Sequence, residues 1–211
     1  LLLEAHSAAA TIADADGKHP FELLPSSASD DVATLLFEAS GKPARPLLEA
    51  LESAATIKLS STELCAAVEA DPGAAARPFA TPAGWKPVEG ALVRLRPGLG
   101  EKKGLRAGEL ATVTYMHSGD HSGEVNLKRN GETLYCLKAA DLAHGFDGWL
   151  PLHAAAALAL DKEALSLLLE AHSAAAATAD AGGQYPLHLA ASAKAEKEAL
   201  LSLIHISEPT R

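Results

Sequence analysis

A ten-residue segment, LLLEAHSAAA, occurs twice without change in this chain, at residues 1–10 and 167–176. A second self-match has a shorter period, because GWLPLHAA from Gly148 recurs as GQYPLHLAA from Gly183, 35 residues later. The tetrapeptide KEAL recurs at the same offset. A fixed period in this range indicates units that cannot bury their apolar faces alone and that stack on one another. The self-matches therefore predict a repeat architecture of short helices.

Turn and helix signals stand at fixed places within each copy. The turns are Asp-x-x-Gly segments at 14–17 and 180–183, and such segments favour tight turns. Pro151 and Pro186 stand where a first helical residue belongs, since proline presets φ and its missing N–H has no helical partner there. Three leucines at i, i+3 and i+4 predict the buried stripe of the second helix, which is Leu165, Leu168 and Leu169.

This unit resembles the ankyrin repeat, in which a turn ending in Gly is followed by T-P-L-H-x-A and a second helix. The resemblance covers residues 1–40 and 145–200. The Thr cap, worth about 1 kcal/mol, is lost in all three copies, where the residue before the proline is His19, Leu150 or Tyr185. The resemblance implies that His153 and His188 hydrogen-bond backbone in the adjacent turn. It also implies a stack of helix pairs that binds proteins through turn tips and a concave face.

The segment between the repeats is helical at first and then irregular. Residues 41–72 are interpreted either as a helical spacer or as a worn further repeat, and both alternatives stay open. Gly41 is expected to end one helix, and Ser60 with Glu63 forms a capping-box pattern ahead of another. Residues 73–87 are rich in Ala, Pro and Gly without a period, which predicts a linker.

Residues 88–144 change from helical to period-two patterning. Short strands are predicted where apolar and polar residues alternate, at 93–96, 111–115 and 124–128. Strict alternation places Tyr115 on the same face as Val113. Asn130-Gly131 is a strong hairpin signal. Several short strands within about sixty residues predict a small closed barrel.

The stretch VRLRPGLGEKKGLRAGELATVTYM, continued by YCLKAADL, resembles the SH3-like repeat of the mind bomb family. In that family a V-R-x-R strand leads through a loop to a G-x-x-G-x-V strand and a final D-L. Ala111 stands where the second Gly of that pattern belongs. A KOW-type ribosomal or transcription-factor barrel is the alternative. The resulting prediction is a mainly α fold, with ankyrin helix-turn-helix repeats interrupted by a small all-β, SH3-like barrel.

The two ends of the sequence carry their own signals. The chain begins with Leu1 inside a predicted helix rather than with Met, so we expect further residues to precede it. Residues 201–211, LSLIHISEPTR, resemble a translated adapter from transposon-based DNA library preparation. We therefore expect a non-native tail there and give it no weight in predicting the fold.

Charge and cysteine usage bound the classes of partner and compartment. A net charge of −9 disfavours non-specific nucleic-acid binding by the whole chain, because phosphates must be met by Lys and Arg. Cys65 and Cys136 are far apart and form no paired motif, which favours an intracellular location, cytoplasmic or nuclear. No segment has the uninterrupted apolar length of a membrane span.

Sequence patterns of enzymes and metal sites are weak or missing. The glycines at 98, 100 and 104 match neither common nucleotide-loop spacing, and a strand is predicted after them. His117 and His121 flank a polar loop with no Cys cluster nearby. No Ser or Cys stands in a recognisable nucleophile turn. We therefore expect no catalytic residues, no metal and no cofactor.

The predicted function is a non-catalytic scaffold that binds a protein of unknown identity. Its expected contact residues lie at the turn tips, and they are Lys18, His19, Trp149, Gln184 and Tyr185. One alternative is the substrate-recognition part of a larger ubiquitin ligase, as the mind bomb resemblance implies. Another is binding of nucleic acid or an acidic peptide by a basic patch on the barrel, formed by Arg94, Arg96, Lys102, Lys103 and Arg106.

Overall fold

The computed structural model describes residues 10–25, 28–42, 45–54, 59–81, 84–106, 108–129 and 131–193, together with Leu200 and Leu203. The chain divides into a first unit, Leu1–Ala75, and a second unit, Ala76–Arg211. Apart from Leu203, the predicted adapter tail lies outside the described residues, as does most of the first LLLEAHSAAA copy. Within the described part of the chain, no helix is long and apolar enough to cross a membrane.

The described residues of the first unit form three α-helices, α1 (Asp30–Ser40), α2 (Leu47–Ser53) and α3 (Ser61–Ala70), preceded by a 3-10 helix at Pro20–Leu23. Helix α1 ends as predicted at Gly41, whose φ of 63° is left-handed and suits glycine. Helix α3 begins after Ser60, whose side chain accepts a hydrogen bond from the backbone N–H of Glu63.

The core of the first unit is aromatic on one side and aliphatic on the other. Phe21 meets Phe37 edge-on, with ring centroids 5.6 Å apart. Leu51 and Leu64 are fully buried. The Glu63 carboxylate accepts a 2.7 Å hydrogen bond from Arg45 Nε. The structure thus gives the predicted capping-box glutamate, which is buried, a half-buried arginine partner.

Seven strands are found in the described part of the second unit, β1 (Leu92–Leu95), β2 (Glu101–Lys102), β3 (Leu105–Arg106), β4 (Ala111–Met116), β5 (Glu124–Arg129), β6 (Glu132–Lys138) and β7 (Leu142–His144). Five of them form an antiparallel sheet in the order β6-β5-β4-β1-β7, and β2 pairs with β3 in a separate hairpin. Arg129 pairs with Glu132, and Gly131 has a φ of 85°, so the predicted hairpin forms. Asn130 itself lies outside the described residues.

One face of the sheet is a continuous apolar core, to which Val93, Leu95, Val113, Val125 and Leu127 contribute. The ladder ends at β6 on one side and at β7 on the other. The prediction of a closed barrel is therefore wrong for the described residues, because the hydrogen-bonded order leaves two edges. Trp85 is partly buried and packs against this core.

Among the residues described after the sheet are three complete α-helices, α4 (Pro151–Ala157), α5 (Lys162–Ala171) and α6 (Pro186–Ser192). As predicted, proline occupies the first helical position of α4 and of α6. Asp161 caps α5 by accepting a 3.0 Å hydrogen bond from the backbone N–H of Ala164. The predicted stripe on α5 is buried, at Leu165, Leu168 and Leu169.

The predicted fold class, mainly α, is wrong. The chain is mixed α and β, with a five-stranded antiparallel sheet that has its own apolar core. The mainly α prediction was based on the helical self-matches. In the structure, however, the sheet and helices α4–α6 belong to one compact unit. Within the predicted linker, Phe79 is buried and exchanges two backbone hydrogen bonds with Gly148 and Trp149.

Candidate functional site

Trp149 was predicted as an exposed anchor for a protein partner, and that prediction is wrong. The side chain is completely buried. Its Nε1–H donates a 2.8 Å hydrogen bond to Asp180 Oδ2, and the ring stacks against Phe146 with centroids 6.2 Å apart. Trp149 therefore holds the 180–183 turn to the end of the sheet and has no surface to offer a partner.

Arg94, predicted as part of an exposed basic patch, is also buried, with 4% of its surface exposed. The guanidinium carbon lies 4.8 Å from the centre of the Trp149 ring. Its nitrogens donate to the backbone oxygens of Gly145 and Asp147. Burial lowers the pKa of Arg94, an effect that the charges of Asp180 and Asp147 oppose. The prediction of a surface role for Arg94 is wrong.

The other four residues of the predicted basic patch are exposed, and each has a polar partner. Arg96 donates to the backbone oxygen of Ala140, and Lys103 donates to that of Cys136 at 2.6 Å. The remaining two form ion pairs, Lys102 with Asp141 at 3.7 Å and Arg106 with Glu101 at 3.5 Å. The two ion pairs offset the charges of Lys102 and Arg106, whereas the bonds to neutral carbonyls leave the charges of Arg96 and Lys103 in place.

The remaining predicted contact residues are divided between the two units. Lys18 and His19 belong to the first unit, and Gln184 and Tyr185 to the second. Tyr185 is 40% exposed. The Gln184 side chain lies against Gly108 so closely that a Cβ on Gly108 would be 1.9 Å from Gln184 Oε1. Within the second unit, Tyr185 is the predicted residue with a large accessible apolar side chain.

A different surface, the outer face of β4, β5 and β6, presents two tyrosines that the sequence analysis did not select. Tyr115 is 50% exposed and Tyr135 is 64% exposed. Tyr115 pairs with Asn126 on the middle strand, and the register shifts between Val113 and Tyr115. A second shift lies opposite Asn126 on β6, since Val125 pairs with Leu137 but Leu127 with Leu134. We call this surface, formed by Tyr115, His117, Asn126, Tyr135 and Cys136, the tyrosine face.

Asn126 thus lies between two β-bulges, one on each neighbouring strand. A bulge re-aims side chains and leaves backbone groups without ladder partners. The Asn126 side chain takes up one such group, because its Oδ1 accepts a 3.0 Å hydrogen bond from the backbone N–H of Cys136. The Asn126 backbone oxygen accepts a 3.2 Å bond from Thr114 Oγ1. Asn126 consequently holds both bulges in place.

These bonds fix which way the Asn126 amide points. A backbone N–H can only donate, so the atom that faces Cys136 N is the amide oxygen. The same Oδ1 lies 2.9 Å from His117 Nε2, which must therefore carry a hydrogen. The amide nitrogen of Asn126 has no hydrogen-bond partner among the described residues, and Asn126 lies on the middle strand, between the strands that carry the two tyrosines.

His117 and Cys136 are close, but they do not form an activated nucleophile. Cys136 Sγ lies 4.0 Å from His117 Nε2. Because that nitrogen already donates to Asn126, it cannot accept the thiol proton. The His117 ring also meets Tyr115 edge-on at 5.0 Å, so its role here is to support a tyrosine. Among described residues, no group of three or more His, Cys, Asp or Glu side chains could hold a metal ion.

Two lysines border the tyrosine face without an ion pair to any described residue. Lys128 lies two residues beyond Asn126 on β5, and Lys138 ends β6 opposite Glu124. Both are exposed. The Glu124 carboxylate lies 3.3 Å from His121 Nδ1. Lys128 and Lys138 thus bring positive charge to the border of the tyrosine face, where Glu124 is the cross-strand neighbour of Lys138, although the chain as a whole is acidic.

No family model, curated protein or solved structure matches the chain. This result corrects the resemblances to the ankyrin repeat and to the SH3-like repeat of the mind bomb family, since no family or relative supports either. Local self-matches and short V-R-x-R or D-L motifs suggested them, but such motifs are too brief to identify a family. The function is therefore inferred from the geometry of the site.

A signal for the tyrosine face was present in the sequence. Inward residues on a regular strand are separated by an even number of positions. On β6, however, the buried residues Leu134 and Leu137 are three apart, and on β4 Val113 and Met116, which both contact the core, are also three apart. Each odd spacing marks one inserted residue, and the insertion on β4 turns Tyr115 outward, whereas Tyr135 is outward by alternation with the buried Leu134.

Proposed function

We propose that this chain is a non-catalytic module that binds a protein partner through its tyrosine face. The observation that carries the proposal is the exposure of Tyr115 and Tyr135 on either side of the fixed amide of Asn126. Large exposed aromatic side chains are typical anchors at protein interfaces. Tyrosine suits this role because it offers a large, rigid contact area with few rotatable bonds.

The rigidity of the tyrosine face supports this proposal. Tyr115 and Tyr135 stand on strands whose inner residues are buried, and the Asn126 bonds hold the bulges that aim them. A preformed site loses little conformational entropy on binding, so more of its contact energy appears as affinity. The non-catalytic part of the proposal rests on His117, whose Nε2–H is committed to Asn126 beside the Cys136 thiol.

An intracellular location belongs to the same proposal. Cys65 and Cys136 are both free and half-buried. Burial raises the pKa of Cys65, and Glu69 adds to this by its hydrogen bond and its charge. Free thiols are typical of reducing compartments. Fluorescence microscopy of a tagged chain expressed in cells should show cytoplasmic or nuclear signal, and secretion with a Cys65 or Cys136 disulfide would contradict it.

The test compares proteins retained by three immobilised chains. These are the unmodified chain, the double variant Tyr115→Ser with Tyr135→Ser, and the control Tyr185→Ser, which removes an exposed tyrosine from the competing predicted site. Each protein that is retained is then purified and measured alone. Loss of two interface tyrosines should weaken binding at least about 30-fold, whereas the control should bind normally. Equal retention by the double variant would refute the proposal, and selective loss with Tyr185→Ser would place the site at the 184–185 turn.

A further inference from the structure

We propose that the partner segment recognised by the tyrosine face is an acidic, proline-containing peptide in the polyproline II conformation. The peptide lies across β4, β5 and β6, roughly perpendicular to the strands. This inference rests on the proposed protein-binding function and specifies the chemistry of the partner. It follows from the spacing of the two tyrosines, the direction of the Asn126 amide and the positions of the two unpaired lysines.

The spacing between β4 and β6 matches the repeat of a polyproline II helix. Adjacent strands lie about 4.8 Å apart, so side chains on β4 and β6, with β5 between them, are separated by about 10 Å. Polyproline II rises about 3.1 Å per residue with three residues per turn, which gives about 9 Å between residues i and i+3. Two prolines three positions apart would therefore meet Tyr115 and Tyr135 on the same face.

The hydrogen-bonding groups of such a peptide complement those of the tyrosine face. A polyproline II peptide makes no internal hydrogen bonds, so its backbone carbonyls are free to accept. The Asn126 amide nitrogen keeps its two donors free on the strand between the two tyrosines, because Cys136 and His117 contact Oδ1 alone. Proline has no backbone N–H, so a proline-containing segment makes little demand for acceptors on the face. The amide donors of Asn126 thus match the free carbonyl acceptors of the peptide.

The exposed edge of strand β6 does not suit an added peptide strand. Strand β6 is an edge of the sheet, and an added peptide strand would need its backbone groups in regular order. Cys136 has a φ of 54° within the bulge, and its backbone oxygen accepts from Lys103 Nζ. The bulge and this bond interrupt the edge, as in strands protected against edge pairing. A peptide therefore docks on the face.

The two lysines indicate where acidic residues belong in the peptide. In a polyproline II segment with i and i+3 on the sheet, residues i+1 and i+2 point to the two flanks. Lys128 and Lys138 lie on opposite sides of the Asn126 row, because Lys128 pairs with Thr133 whereas Lys138 pairs with Glu124. Both lysines lack an ion pair among described residues. Acidic side chains at i+1 and i+2 would each meet one lysine, so the favoured motif is Pro-Glu-Glu-Pro.

The experiment measures fluorescence anisotropy of a labelled dodecapeptide containing Pro-Glu-Glu-Pro in a Gly-Ser background. Three matched probes accompany it, in which the motif is Ala-Glu-Glu-Ala, in which it is Pro-Lys-Lys-Pro, and in which a labelled single-stranded oligouridylate replaces the peptide. We expect the first probe to bind at least ten times more tightly than any of the others. Equal binding of the Ala probe, or tighter binding of the oligouridylate, would overturn the inference.

Three variants connect binding to the proposed contacts. Asn126→Asp keeps the acceptor for the Cys136 N–H but removes the donors, and should weaken peptide binding about tenfold with circular dichroism unchanged. Lys128→Ser with Lys138→Ser should do the same. Its control, Lys86→Ser with Lys162→Ser, has the same net charge and removes exposed lysines elsewhere, and should bind normally. Equal losses in both lysine pairs would refute the assigned contacts.

The outcomes separate this inference from the proposed function. If tyrosine-dependent protein partners are retained on the immobilised chain but no peptide probe binds, the polyproline inference is wrong and the protein-binding proposal stands. If neither retention nor peptide binding depends on Tyr115 and Tyr135, both fail.

Discussion

The Oδ1 atom of Asn126 accepts a 3.0 Å hydrogen bond from the backbone N–H of Cys136, and this one contact joins the stability of the sheet to its outer surface. It satisfies a backbone donor that the β6 bulge removes from the ladder. It also turns the amide nitrogen outward between Tyr115 and Tyr135. The side chain that preserves the irregular strand therefore also orients the proposed contact groups.

Replacing Asn126 by Leu should destabilise the second unit by about 1–3 kcal/mol, because the backbone N–H of Cys136 and the His117 ring lose their acceptor. Asn126→Asp keeps an acceptor in the same place and should cost less. Urea unfolding followed by circular dichroism measures both. Equal free energies of unfolding for the two variants would show that the acceptor does not hold the bulge.

The two Asp-x-x-Gly turns offer a matched pair for measuring the indole bond of Trp149. Asp14 and Asp180 each accept two backbone N–H bonds within their own turn, at 2.8–2.9 Å. Asp180 also accepts from Trp149 Nε1. Because Asp180→Ala leaves a buried indole N–H without a partner, it should cost about 1–3 kcal/mol more than Asp14→Ala.

Hydrogen–deuterium exchange, followed on peptides from each unit, measures the stability around each of the two turns separately. The expected result is that Asp180→Ala accelerates exchange in helices α4 and α6, whereas Asp14→Ala affects only its own turn. Equal acceleration around both turns would contradict a stabilising role for the indole bond.

The Arg45–Glu63 pair should be the most sensitive polar contact of the first unit. The Glu63 side chain is 1% exposed and that of Arg45 is 15% exposed. Arg45 also donates a 2.7 Å bond to Ser53 Oγ. Arg45→Met leaves a buried carboxylate without its cation, and should cost on the order of 3 kcal/mol. The double variant Arg45→Met with Glu63→Gln should recover part of this loss in urea unfolding. Additive losses would contradict a coupled pair.

His153 should make the second unit less stable in mild acid. Burial lowers the pKa of His153 below its usual value, although the charge of Asp180 and the Thr178 carbonyl raise it in part. The charge of Arg94 lowers it further. Because the unfolded chain then binds more protons than the folded one, stability is complete above about pH 6.5 and is lost as pH falls through the lower, folded-state value.

The variant His153→Gln isolates this effect, since glutamine can donate to the Thr178 oxygen that His153 Nε2 contacts at 3.1 Å but does not titrate. Between pH 7.5 and pH 5.5 the unmodified chain should lose about 1 kcal/mol more than the variant. Urea midpoints at the two pH values measure the difference. Equal losses would show that His153 does not contribute to the pH dependence.

The sequence predicted the helical parts of the second unit well, because local signals determine them. Proline at the first helical position, the leucine stripe of α5 and the backbone contact of His153 are all confirmed. The same patterns were wrong about Trp149, whose burial depends on Arg94 and Asp180 at distant positions as well as on the nearby Phe146. A turn-tip position indicates where the backbone goes, but not what covers the side chain.

For the sheet, local patterns predicted the strands but not which way every side chain points. Its strands were predicted from alternation, but the face of Tyr115 was not, because one inserted residue reverses every later side chain. Alternation alone predicts a regular strand from Ala111 to Tyr115. The structure places a bulge within it and a second bulge at Tyr135 and Cys136. The candidate site thus arises from two departures from the periodicity that predicted the strands.

The most direct test of the account is a nuclear magnetic resonance titration of the ¹⁵N-labelled chain with a purified protein that it retains. We predict that the largest chemical-shift changes occur at the side-chain amide of Asn126 and at the backbone amides of Tyr115, Tyr135 and Cys136. The Asn126→Asp variant should lose these changes while its remaining spectrum stays folded. Changes centred on Gln184, Tyr185 and Leu187, with the Asn126 side chain unmoved, would contradict the account.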